Sequence, residues 1–136
     1  MAARRPKSRQ RSATTDTSRK GSPRRTGCIR LLPALEPVGG IGYWERAWQG
    51  ETVYEAGWGV QPEFQGRGIA TDAVLAAVAS ARAEHRNRRL HALPCIGNPA
   101  SNAVGRKSGF LFVMECDFEY PKGPFIRCND WRVDLW

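Results

Sequence analysis

The chain has 136 residues, 41% of them apolar and 10% aromatic, which is one domain's worth of core and leaves no room for two. No apolar run approaches the roughly 18 residues needed to cross a bilayer, and the sequence reads as a soluble, cytoplasmic protein. The formal charge of +8 is unevenly spread: residues 1–30 hold ten of the 21 Lys and Arg against Asp16 alone, so the other 106 residues are close to neutral, and the basicity says little about what the body binds.

From Met1 to Gly27 the only aliphatic side chains are Met1, Ala2, Ala3 and Ala13. Such a segment buries too little apolar surface to offset its ordering entropy, so residues 1–27 are expected to be a disordered basic tail. It lacks the apolar core of a secretory signal, and it reads as an extension without function or the product of a wrongly chosen start. Order is expected from Cys28, with a folded domain over residues 28–136. Residues 29–46 carry β-prone segments broken by Pro33, Pro37 and Gly39-Gly40, a loose hairpin ending in a strand over 40–45. Thr52–Val60 alternates as a strand, with Tyr54, Ala56, Trp58 and Val60 on the expected core face and Val53, Glu55, Gly57 and Gly59 opposite.

Pro62 ends that strand. After the loop 63–68, the Ala-rich run from Ile69 to about His85 spaces Ala73, Val74, Ala77, Val78 and Ala81 as a helix does. Leu90–Cys95 reads as a short strand. Asn98 as N-cap, Pro99 at the first helical position and Gly109 past the end mark a second, short helix. Phe110–Tyr120 and Phe125–Leu135 read as an antiparallel pair joined by the turn Pro121-Lys122-Gly123-Pro124. Of the four cysteines, none forms a C-x-x-C pair, and Cys116 and Cys128 are placed to face each other across that hairpin as free thiols. His85 and His91 suit neither a zinc site nor a helix face, and no metal is expected.

Gln65-Gly66-Arg67-Gly68-Ile69-Ala70 stands where a strand hands over to a helix. Its glycines permit a tight turn, and no Ser, Thr, Asp or Asn caps the first helical amides, which together with the helix dipole suit a phosphate or pyrophosphate. A plain Gly-rich turn is the alternative. A P-loop is excluded because no G-x-x-x-x-G-K-[ST] occurs, and a dinucleotide fingerprint because position 71 is Thr.

The string Val60-Gln-Pro-Glu-Phe-Gln65-Gly66-Arg67-Gly68-Ile69-Ala70 resembles the acetyl-CoA-binding motif of the GNAT N-acetyltransferase superfamily, Q/R-x-x-G-x-G/A after a strand. Asn98-Pro-Ala-Ser101-Asn102-Ala-Val-Gly-Arg-Lys107-Ser-Gly109-Phe110 is similar to the superfamily's later N-x-x-S…K-x-G-F element. With Glu55, Gly57 and Pro62 ahead of the cradle, the chain looks most like the branch of the ribosomal-protein alanine acetyltransferases, over roughly residues 39–135. The resemblance implies an α/β (α+β) fold: a mixed, mostly antiparallel sheet with flanking helices and splayed central strands. It implies acetyl transfer from acetyl-CoA, the co-substrate, to a primary amine, a small molecule or a protein N-terminus, by direct attack in a ternary complex.

Residue by residue, the resemblance assigns the pyrophosphate to the amides of Gly66, Arg67, Gly68, Ile69 and Ala70, with Gln65 at the loop entrance and Arg67 supplying charge. A bulge in the strand before the cradle would open it to the pantetheine arm. Gly57 and Gly59 suit that opening, or equally sit under a bulky neighbour such as Trp44 or Trp131. The amide of Trp58 or Val60 would polarise the thioester carbonyl. Glu55 would take the amine proton, or is a solvated strand carboxylate. Asn98 would contact pantetheine while capping its helix, and Ser101 would serve the departing sulfur. Tyr43, Trp44 and Trp131 are candidates for an acceptor pocket.

Relatives place a first strand and helices ahead of the hairpin, and this chain is expected to lack them, through truncation, a misplaced start, or a wall supplied by a partner. The resulting sheet edge would invite a homodimer. Two other readings stand beside the enzyme: a relative that binds acyl-CoA without turnover, and nucleic-acid binding through residues 1–27.

Overall fold

The computed structural model describes the backbone of residues 11–19, 22–119 and 124–136. In chain order it contains β1 (Arg11–Arg19), β2 (Ser22–Leu31), β3 (Glu36–Trp48), β4 (Glu51–Val60), α1 (Ile69–Glu84), β5 (Arg89–Ala92), α2 (Pro99–Lys107), β6 (Leu111–Glu119) and β7 (Phe125–Asp134). The strands form one sheet in the order β1-β2-β3-β4-β5-β7-β6. Every neighbouring pair is antiparallel except β4 and β5. This is the mixed, mostly antiparallel sheet with flanking helices that the sequence predicts.

The N-terminal part departs from expectation. Residues 11–19 and 22–27, read from composition as disordered, pair as an antiparallel ladder that continues onto β3. Composition measures apolar burial, whereas a strand laid on an existing sheet edge is ordered by main-chain bonds, and Thr14, Thr15 and Thr17 favour extended backbone. Two strands, not none, therefore precede β3. Among the described residues no helix does. Residues 1–10, 20–21 and 120–123, the last including most of the expected Pro121–Pro124 turn, lie outside the described residues.

β3 and β4 join through Gln49 and Gly50, both at positive φ, as the tightest hairpins require. On one face of the sheet Tyr43, Tyr54, Ala56, Leu90, Ala92 and Trp131 are buried with Val74, Val78 and Ala81 of α1. The Glu84 carboxylate near the end of α1 accepts hydrogen bonds from the hydroxyls of Tyr43 (2.9 Å) and Tyr54 (2.6 Å) and pairs with Arg25 (2.9 Å). Burial, with Glu84 beside it, holds the Tyr54 phenol well above the ordinary tyrosine range. These bonds fix the tilt of α1 and so aim its N-terminus.

On the other face lie Trp44, Arg46, Trp48, Glu55, His91, Asp130 and Phe118. Val53, assigned by alternation to the less buried face, is fully buried there. The Arg46 guanidinium stacks over Phe118 at 4.6 Å and Trp48 at 5.7 Å, so long side chains of the sheet itself cover this face. His91 is also interior, its Nδ1 2.6 Å from Asp130 Oδ1, while Trp48 Nε1 donates to Asp130 Oδ2 at 3.1 Å.

Candidate functional site

The parallel ladder between β4 and β5 has only three residue pairs, ending at Ala56 and Ala92. Beyond it β5 stops at Ala92, three residues short of the expected end at Cys95, and the chain goes on beside β7 alone. Asn129 N donates to Pro94 O at 2.9 Å and Ile96 N to Arg127 O at 3.0 Å. β4 continues alone to Val60. The expected splay is present, but not the expected bulge: β3 and β4 stay in unbroken register from Gly39–Val60 to Trp48–Glu51. The departure of the following segment opens the sheet.

Backbone alternation decides what the gap presents. Gln61 N donates to Val38 O on the β3 side (2.8 Å), and Val60 O accepts from Gln65 Nε2 on the other (2.9 Å). The peptide groups of Trp58 and Val60 therefore point away from β3 into the gap, where the β5 ladder has already ended. Two cavities meet here. One, of about 450 Å³, runs along the loop 64–68 and the first turn of α1 and past Lys107. The other, of about 280 Å³, is lined by Trp44, Glu55, Gly57 and Phe118. Trp58, Asn98 and Ser101 line both.

At the cradle, Gly66 and Gly68 take φ of +80° and +78°, values that side chains beyond glycine adopt at a cost. Gly68 is the N-cap of α1 and no side chain caps the helix. Since Asp72 N already bonds Gly68 O (3.0 Å), the amides of Ile69, Ala70 and Thr71 are the ones left for a ligand. A side chain at Gly66 would meet nothing within 4 Å, so the corner is open. The Ile69 side chain is core, 2% exposed. Arg67 does not line the cavity: its guanidinium lies 5.1 Å from the ring of Phe64. Lys107, from the end of α2, does line it and is the cation sequence reasoning left without a role.

The glycine question resolves differently at the two positions. Gly57 lies under Trp44, whose ring would be 3.1 Å from an added Cβ, whereas Gly59 meets nothing. Trp131, for its part, covers Gly105 of α2 at 3.3 Å, on the face opposite Glu55. Tyr43 shares that helix-side face, which leaves Trp44 as the aromatic of the three that lines the Glu55 cavity.

Glu55 Oε1 accepts from Trp44 Nε1 at 3.0 Å and from Arg46 at 2.7 Å. Both bonds go to one oxygen. The carboxylate is 12% exposed and borders the cavity. Asn98 Oδ1 caps α2 by accepting from Ser101 N at 3.1 Å. The position of this corner depends on Asn102, which sequence reasoning passed over. Its Nδ2 donates to Cys95 O (2.9 Å) and Asn98 O (2.8 Å), and its Oδ1 accepts from Asn129 Nδ2 and Trp131 Nε1, each at 2.8 Å.

The described residues fit a thiol-linked nucleotide in one further respect. Trp58, at the junction of the cavities, has a buried indole Nε1 without a partner, a donor that a polar ligand atom would satisfy. Among the described residues no cluster of His, Cys, Asp or Glu suits a metal ion, and no helix is long and apolar enough to cross a membrane.

A family model for an acetyltransferase (GNAT) domain matches residues 4–111. Comparison with curated protein sequences finds no match. Among solved structures, a ribosomal-protein-S5-alanine acetyltransferase from Vibrio fischeri is similar with a TM-score of 0.69 and 17% identity, over 83% of this chain and 62% of that one. A Vibrio cholerae protein assigned as a ribosomal-protein-serine acetyltransferase gives 0.69 and 13%, over 82% and 64%. A spermidine N-acetyltransferase from Vibrio cholerae, in complex with CoA and spermine, gives 0.66 and 14%, over 83% and 66%. At these identities the likeness is one of fold, and the chain spans less than two thirds of the length of each of the three.

Proposed function

The chain belongs to the acetyltransferase (GNAT) domain family, and from that premise we propose that it moves an acetyl group from acetyl-CoA to a primary amine by direct attack in a ternary complex. The observation that carries the reading is the pair of adjoining cavities, sharing Trp58, Asn98 and Ser101, that reach from the uncapped start of α1 to Glu55. The amides of Ile69, Ala70 and Thr71, with those of the Gly66–Gly68 turn, hold the pyrophosphate, and Lys107 adds positive charge at the same cavity. Asn98 and the exposed peptide groups of Trp58 and Val60 align the pantetheine arm along the unpaired side of β4. CoA supplies an activated acetyl thioester; a Trp58 or Val60 N–H aimed into the gap stabilises charge that develops on its carbonyl oxygen.

An amine attacks only as the free base, and its proton must leave. Oε2 of Glu55 is the acceptor, directly or through one water, because Oε1 is held by Trp44 and Arg46. Those two bonds also fix the carboxylate's orientation. The Ser101 hydroxyl, on the shared wall of the two cavities, supplies a proton to the departing thiolate. The ion pair with Arg46 favours a second reading, in which the carboxylate serves to hold the sheet face together and the chain binds acyl-CoA without turnover.

Calorimetry with CoA, joined to a thiol-release assay across a panel of primary amines, separates the two. Transfer predicts saturable binding and amine-dependent release, with Glu55→Gln retaining the binding and losing at least tenfold in release. Binding with no release for any amine supports the second reading, and absence of CoA binding overturns both.

A further inference from the structure

The cavity beside Glu55 has two cysteines in its wall, Cys95 and Cys128. Cys95 is exposed, whereas Cys128 is 2% exposed. Their relation is set by main chain. Cys95 forms an isolated antiparallel bridge with Cys128, flanked by the bonds Ile96 N to Arg127 O and Asn129 N to Pro94 O. Neither cysteine makes a backbone hydrogen bond to the other, so this is a non-hydrogen-bonded pair, in which Cα atoms stand about 4.5 Å apart and the side chains approach on one face. A disulfide needs Cα atoms roughly 4.4–6.8 Å apart. The main chains already stand at the separation that such a bond needs.

Cys116 is the competing partner, since it stands opposite Cys128 in the β6–β7 ladder. The peptide groups of Cys128 turn away from Cys95 and therefore toward Cys116. That makes Cys116–Cys128 a hydrogen-bonded pair, with Cα atoms about 5.5 Å apart and side chains held further from each other. Cys116 is also buried, 8% exposed, so a reagent from solvent reaches Cys95 first.

We propose that Cys95 and Cys128 form a redox-convertible dithiol in the wall of this cavity, oxidised by a small-molecule disulfide to a cross-strand bond. In the first step the Cys95 thiolate attacks one sulfur of the small disulfide. The S–S bond breaks, and one small thiolate departs and takes up a proton. In the second step Cys128 gives up its proton and its sulfur attacks that of Cys95, expelling the second small thiolate, which is protonated in turn. The two cysteines are oxidised and the small disulfide is reduced to two thiols. Burial pushes the Cys128 thiol up to about 11, which makes the second step the slower one and quickens it as the pH rises. The inference rests on backbone geometry and holds whether or not the chain transfers acetyl groups.

The test incubates the full chain with glutathione disulfide and reads mass and tryptic disulfide linkage. The wild type is expected to pass through a glutathione adduct on Cys95 and to end with two hydrogens lost, no glutathione retained, and Cys95 joined to Cys128. Dithiothreitol restores the starting mass. Cys128→Ser halts at the Cys95 adduct, Cys95→Ser loses the reaction at least tenfold, and Cys116→Ser behaves as wild type. Because linkage is mapped in the wild type, a variant that fails to fold leaves the test decisive. A stable Cys95 adduct as end product, a Cys116–Cys128 bond, or four thiols unchanged would each overturn the proposal.

Discussion

Asn102 offers the sharpest test of how the corner at the gap is held. Its side chain is 8% exposed and makes four hydrogen bonds, two donated to the carbonyls of Cys95 and Asn98 and two accepted from Asn129 and Trp131. Asn102→Ala strands all four partners. At about 1 kcal/mol for each bond, with water recovering some of the loss, the cost is about 3 kcal/mol. For a chain of this length that lowers the melting temperature by about 10 °C. Asn98→Ala removes one capping bond, the one donated by Ser101, and should cost about 1 kcal/mol. Urea unfolding followed by tryptophan fluorescence measures both, and Trp131, which loses its indole partner, reports the local change in the Asn102 variant before unfolding. If Asn102→Ala proves no more costly than Asn98→Ala, the claim that this residue ties α2, β7 and the segment after β5 together is refuted.

Three further outcomes follow from the geometry. Gly68→Ala forces a side chain onto a φ of +78° and should cost about 1 kcal/mol of stability while weakening CoA in calorimetry; unchanged affinity would remove the cradle from the binding site. Asp130→Ala strips the interior partner from His91 and Trp48 and should destabilise by about 3 kcal/mol in the same urea assay. Glu45 is held below the ordinary carboxylate range chiefly by the bond from Arg86, with Asn87 adding to it. Its stabilisation is therefore present above the unfolded value and is lost as pH falls through the lower folded one. Glu45→Gln should cost under about 1 kcal/mol near neutrality, because Arg86 is largely exposed, and nothing once the pH is below the lowered folded value.

Local chemistry wrote much of the fold into the sequence. The start of α1 after two glycines, the Asn98-Pro99 opening of α2, and the alternation of β4 each depend on residues within a few positions of one another, and each element stands where that chemistry puts it. What was illegible is long-range. The strands over 11–27 depend on β3 offering an edge, which composition cannot register. The opening of the sheet lies not in a bulge of β4 but where the chain after Ala92 leaves it, a departure that shows only once β7 is seen to receive that segment. The same holds at the site. Glu55 could be picked out by its place beside the cradle, but not its bonds to Trp44 and Arg46, which come from the facing strand. Arg67 was matched to phosphate by charge, while the ring of Phe64, three residues earlier, claims it. Asn102 and Lys107 sit inside a quoted motif with nothing local to mark one as a hub and the other as a cavity wall.

The three-pair ladder joining β4 to β5 has a mechanical meaning. It is the narrowest seam in the sheet, so the four N-terminal strands and the three C-terminal ones are riveted mainly through α1 and a few rungs. A molecule threaded along the unpaired rim of β4 would act as an eighth strand borrowed from solution, and the stiffness of the whole would then rise with its concentration by mass action.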